Sequence, residues 1–403
     1  MNELENKYIE LLLKRCINFE KSKSLFINYQ VESEFIKKVV DKAKEMGIED
    51  IYLSFEDTYK EHEILSYKSL EQLDTYPFFD NSIWDEYAKK DASFLILETE
   101  IPGLMDDIDP KKLSRARYIK RTTKPIYKDK QLKGLIPWCI ACIPDVAWAK
   151  NLFPELNEED AYNKLYECII SMCMVDTENP IKSWNSFLAK QQLMVEKLNN
   201  LQISKLHYTN SLGTNLTIEL NEDALWTSAG GHGENMIVNM PSYEIFTPPD
   251  YKKTNGIVYS SKPLLYNGAL IDNFYIEFKD GKVINYDAEI GKEILKGIIE
   301  SDEYSSFLGE VALIEHNSPI SNTGIVFKTT LIDENSSCHL ALGSGFNECI
   351  KDGEILTNEE LMNKGVNQSK NHVDFMIGTP DLNIEAETNN GKILIFKNGN
   401  FNI

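Results

Sequence analysis

Leu25-Phe26-Ile27-Asn28-Tyr29 is an apolar run of strand length, and the residues after it change period. From Glu32 to Met46 the apolar positions recur at helical spacing, and Gly47 stands where a left-handed residue would end the helix. Ile51-Tyr52-Leu53-Ser54 then restores a strand pattern, and Ser93-Phe94-Leu95-Ile96-Leu97 supplies a third strand. Strand, helix and strand in this rhythm imply an α/β N-terminal domain with a parallel sheet, because parallel neighbours need a crossover connection. No glycine-rich phosphate loop follows any of these strands, so a nucleotide site is unsupported.

Further along, helical spacing runs from Asn157 to Val175 and from Ile181 to Leu201, with Asn157-Glu158-Glu159-Asp160 supplying a cap and negative first-turn charge. These two helices are expected to close a first domain over residues 1–203, with Trp148 and Trp184 packed in its core. Beyond Ser204 the period shortens to that of alternating strands, as in Thr214-Asn215-Leu216-Thr217-Ile218-Glu219-Leu220. Asp280-Gly281 and Asn398-Gly399 read as hairpin turns, and one helix interrupts the strands at about 292–301. Residues 204–403 are therefore expected to form a β-rich α+β domain.

The chain has 403 residues and a formal charge of −21, which argues against nucleic-acid and anionic-membrane partners, since both are recognised through basic patches. It contains no apolar run of about 18 residues, and Met1-Asn2-Glu3-Leu4-Glu5-Asn6 lacks a basic leader, so a cytoplasmic location is expected. The seven cysteines are expected to be reduced. Cys139 and Cys142 have the spacing of a zinc or redox pair, but their hydrophobic flanks favour packing within a buried strand.

The chemistry concentrates in the second half. Asn371-His372-Val373-Asp374-Phe375-Met376-Ile377-Gly378 sets an imidazole and a carboxylate two residues apart in an apolar run, where a strand aims both at one place. An isolated His-Asp pair would be ordinary strand structure. Glu244, Glu310 and His339, however, occupy comparable settings beside apolar runs or turns. Three carboxylates and two imidazoles suit two divalent cations such as zinc, cobalt or manganese, with magnesium also open. Such a pair can activate water and polarise an amide carbonyl. Of the other histidines, His232 lies in a glycine-rich loop, His316 at a turn, His207 in a strand and His62 in a charged stretch, and none is expected to be a ligand.

The stretches around these five residues resemble the thermophilic metalloaminopeptidase family of aminopeptidases T, II and S. So do Pro137-Trp138, Pro144 to Ala149, Phe153-Pro154, Leu206-His207-Tyr208 and Thr330-Leu331-Ile332-Asp333-Glu334-Asn335. The resemblance implies a homodimeric aminopeptidase that removes N-terminal residues from peptides, whose N-terminal domain helps to enclose a two-metal site. By motif it implies Glu244, Glu310, His339, His372 and Asp374 as metal ligands, and Glu310 is taken here as base or water-orienting group. Two positions depart from the family: Tyr243 precedes Glu244 where paired acids are usual, and Phe346 stands where a tyrosine is usual. A hydrolase of another amide or ester, or a catalytically impaired metal- or peptide-binding homologue, remain alternatives at this stage.

Overall fold

A computed structural model describes residues 2–19, 22–230, 236–266 and 269–403. The chain divides into two compact units, Met1–Phe187 with Ala229–Ser242, and Leu188–Ser228 with Tyr243–Ile403. Strands are numbered along the chain.

The first unit is built on β1 (Ser24–Tyr29), β2 (Asp50–Phe55), β3 (Ser93–Glu98), β4 (Trp138–Cys142) and β8 (Asn239–Met240), in the order β2-β1-β3-β4-β8. Every neighbouring pair is parallel. The helix Glu34–Glu45 carries the chain from β1 to β2 and buries Ile36, Val39 and Ala43 along one face. Gly47 follows it at φ +89°, a conformation that glycine adopts without the Cβ penalty of other residues. Phe26 of β1 and Phe94 and Ile96 of β3 pack with Trp84, Tyr87 and Tyr127, and the rings of Phe26 and Trp84 are 4.7 Å apart at their centroids. Cys139 and Cys142 are buried in β4 and unbridged. Trp148 and Trp184 are fully buried.

The second unit contains two antiparallel sheets. The larger is formed by β5 (Lys205–Thr209), β6 (Asn215–Leu220), β10 (Pro249–Tyr259), β11 (Leu264–Tyr266), β12 (Ala269–Lys279), β13 (Lys282–Ile290), β17 (Asn383–Thr388), β18 (Gly391–Lys397) and β19 (Asn400–Phe401). Asp280 and Gly281 between β12 and β13, and Asn398 and Gly399 between β18 and β19, all have positive φ, as a two-residue hairpin that follows strand twist requires. The smaller sheet takes β7 (Thr227–Ser228), β9 (Ile245–Thr247), β14 (Leu308–Leu313), β15 (His339–Gly343) and β16 (His372–Met376), in the order β16-β15-β14-β9-β7.

One side of the smaller sheet faces the core. Leu308, Val311 and Leu313 of β14, Leu340 and Leu342 of β15, and Val373 and Phe375 of β16 join Leu206, Tyr208, Ile218, Ile276 and Ile384 of the larger sheet in one buried cluster. Each such side chain contributes roughly 1.5–3 kcal/mol by leaving water. With alternate residues committed to this core, the residues between them must face the opposite side.

Candidate metal centre

That opposite side carries the titratable residues. Along β15, Ala341 pairs with Glu310 of β14 on one flank and with Asp374 of β16 on the other, and Gly343 pairs with His372. Residues paired directly across antiparallel strands share a face, so the register puts Glu310, His339, His372 and Asp374 on one surface. Glu244 immediately precedes β9, in phase with Phe246, which pairs with Ala312 opposite His339.

A β-bulge makes this arrangement possible. Leu308 pairs with Leu342, but the register shifts before Glu310 pairs with Ala341, leaving Gly309 as the extra residue. In an unbulged ladder Gly309 itself would pair with Ala341, and Glu310 would lie opposite Leu340 and share its core-facing side. A Cβ at Gly309 would come within 2.2 Å of the Gly343 carbonyl oxygen, so the close approach of β14 and β15 requires glycine.

The side chains converge. One ligand atom from each of Glu244, Glu310 and His339 lies within 4.8 Å of the others, and the same holds for Glu310, His372 and Asp374. Glu310 belongs to both groups. His339 Nε2 is 3.3 Å from Glu244 Oε2, and His372 Nε2 is 3.2 Å from both Glu310 Oε2 and Asp374 Oδ1. Both imidazoles are anchored through the other nitrogen: His339 Nδ1 lies 2.9 Å from the Glu334 carbonyl oxygen, and His372 Nδ1 lies 2.7 Å from that of Ser344. An Nδ1–H donated to a backbone carbonyl fixes the tautomer that leaves the Nε2 lone pair free for a cation.

The electrostatics are those of a desolvated acidic cluster. Burial pushes Glu310 up to about 7, with His372 pulling it down and Asp374 pushing it up. Burial opposes the charged form of His339, but the hydrogen bond to Glu244 and the fields of Glu310, Glu244 and Asp374 outweigh it and lift the imidazole to about 10. His372 is raised well above its ordinary value, chiefly by Asp374 working against burial, and Asp374 is lowered because His372 outweighs its own burial.

The residues fit a divalent cation. Asp374 Oδ1 is buried with no hydrogen-bond partner among the described residues, and it faces His372 Nε2 at 3.2 Å. Such an orphaned carboxylate oxygen among carboxylates and neutral-capable imidazoles is what a hard or borderline cation would satisfy.

The structure adds one residue, Glu334, to those read from the sequence, and it places Phe346, the position that departs from the family, beside His372. Glu334 is buried, and burial followed by the charges of Asp374 and Glu244 raises it well above the carboxylate range. Its place five residues before His339 was the available signal, but it sits on a short helical turn where no periodicity marks it. Phe346 packs edge-on against His372, with ring centroids 5.1 Å apart and planes at 65°. His62, His207 and His316 belong to neither group; they pair with Asp107, with Asn215 and, through the backbone N–H, with the Gly399 carbonyl. His232 lies outside the described residues.

The sequence matches the thermophilic metalloprotease (M29) family over residues 1–401, and the chain belongs to that family. It is 35% identical to aminopeptidase 2 of Geobacillus stearothermophilus, over 98% of this chain and 97% of that one. It is 34% identical to aminopeptidase AmpS of Bacillus subtilis, over 98% of both chains. The solved structure of wild-type AmpT from Thermus thermophilus superposes with a TM-score of 0.88 at 27% identity, covering 100% of this chain and 99% of that one. The protein is a metalloaminopeptidase, a hydrolase of peptide bonds.

Proposed function

We propose that this metalloaminopeptidase removes N-terminal residues from peptides with two divalent cations, held by Glu244, Glu310 and His339 on one side and by Glu310, His372 and Asp374 on the other. The observation that carries this reading is the membership of Glu310 in both groups, since one carboxylate shared by two ligand sets is how two like charges are held close. When bound, the ions supply Lewis acidity toward the scissile carbonyl and toward a water. Zinc, cobalt, manganese and magnesium all suit these donors.

The chain's own groups do the rest. As the carboxylate common to both sets, Glu310 is placed to orient the attacking water. The backbone carbonyls of Glu334 and Ser344 hold the two imidazoles in the metal-accepting tautomer. Glu334 is a sixth side chain of the centre, in reach of the fields of Glu244, Glu310 and Asp374. We further propose that residues 204–403 form the catalytic domain and residues 1–203 an accompanying α/β domain, and that the enzyme is a cytoplasmic homodimer. No helix among the described residues is long and apolar enough to cross a membrane.

The test pairs a free peptide with the same peptide acetylated at its N-terminus, alongside elemental analysis of the purified protein. About two ions per chain and cleavage of the free peptide only are expected. Equal cleavage of the blocked peptide would point instead to a hydrolase indifferent to the α-amine.

A further inference from the structure

Glu244 is the one candidate ligand in the smaller sheet's neighbourhood that no strand ladder holds, because β9 begins only at Ile245. Its backbone is held by side chains instead. The Tyr243 N–H donates to Asn335 Oδ1 at 2.8 Å, and the Glu244 carbonyl accepts from Gln191 Nε2 at 3.3 Å. Asn335 is fully buried, and its Nδ2 donates to the Leu331 carbonyl at 3.1 Å and to Glu334 Oε1 at 3.3 Å. A reversed Asn335 amide would set its NH2 against the Tyr243 N–H and its oxygen against a carbonyl and a carboxylate, so only one orientation is tenable. One amide thus touches the segment carrying Glu244 on one side and the carboxylate of Glu334 on the other.

Resting on the two-metal reading above, we propose that Asn335, seconded by Gln191, is a positioning residue of the centre: it fixes the Glu244 segment relative to Glu334 so that the Glu244 carboxylate meets its ion in a set position. In this role each amide acts through the Glu244 segment rather than on substrate or ion. Groups that orient ligands in this way typically govern metal affinity by about 10–100-fold.

A structural role alone would show equally at any buried amide, and Asn367 supplies the control. It is as buried as Asn335 and makes a comparable three-way set of bonds, to the carbonyls of Tyr304 and Phe307 and from the Ser369 N–H, without touching any candidate ligand. Zinc affinity of the full chain is measured by competition with a chromophoric chelator for wild type, Asn335→Ala, Gln191→Met and Asn367→Ala, with melting temperatures taken in chelator. Asn335→Ala should lose about 10–100-fold in affinity and Gln191→Met up to about tenfold, while Asn367→Ala loses stability and keeps its zinc. Equal affinity in Asn335→Ala and Asn367→Ala overturns the proposal. Should Asn335→Ala not fold, undiminished affinity in Gln191→Met overturns it. A wild type that binds no divalent ion sinks the two-metal reading instead.

Discussion

Glu310 and Glu334 are both buried carboxylates of the centre, yet they should differ in consequence. Glu310 is common to both candidate groups, so on the proposed two-cation reading Glu310→Gln removes a charge from each. Its expected effect is loss of both ions in chelator competition and a fall in kcat of about 10³-fold or more, the scale of losing a principal electrostatic contributor. Glu334→Gln should weaken binding by only about 10–100-fold, as for a supporting group. Comparable losses in the two variants would contradict the distinct role given to Glu310. The residue types of the five candidate ligands were legible from the sequence because each stands within or beside an apolar run or a turn, where its side chain is costly to bury unpaired. Glu334 lacked such a frame, since Asp333 and Asn335 beside it are polar and buried as well.

At the scale of elements, small residues on the site face matter as much as the ligands. Ala341 lies in register between Glu310 and Asp374, and its methyl group leaves the space between them open. Ala341→Leu keeps a residue compatible with a strand but fills that space. The expected result is a folded protein with an unchanged far-ultraviolet spectrum that binds no zinc in equilibrium dialysis; retained binding would show that the cations sit elsewhere. The strands and helices of the first unit were readable from local period, and both Asx-Gly hairpins from turn chemistry. The two-residue strands β7 and β8 were not. Asn239–Met240 joins the parallel sheet beside β4 by pairing with residues about a hundred positions earlier, and so short a segment carries no period. The bulge at Gly309 was hidden for the same reason, because a single glycine before an apolar run does not reveal which strand it will meet.

At the scale of the whole molecule, the chain carries a formal charge of −21 and gathers four buried carboxylates around two imidazoles. Divalent cations that bind only the folded state should stabilise it by about 2.7 kcal/mol at a hundredfold excess over Kd. For 403 residues unfolding together, removal of metal by chelation is therefore expected to lower the melting temperature by about 3 °C, with recovery on adding zinc or cobalt in a calorimetric scan. An identical melting curve with and without chelator would argue that no such coupling exists. The smaller sheet is a partition with oil on one side and ionic chemistry on the other, and the two share every backbone atom between them. Repacking behind the wall, at the buried Leu340 or Phe375, would therefore be felt in front of it, among the candidate ligands.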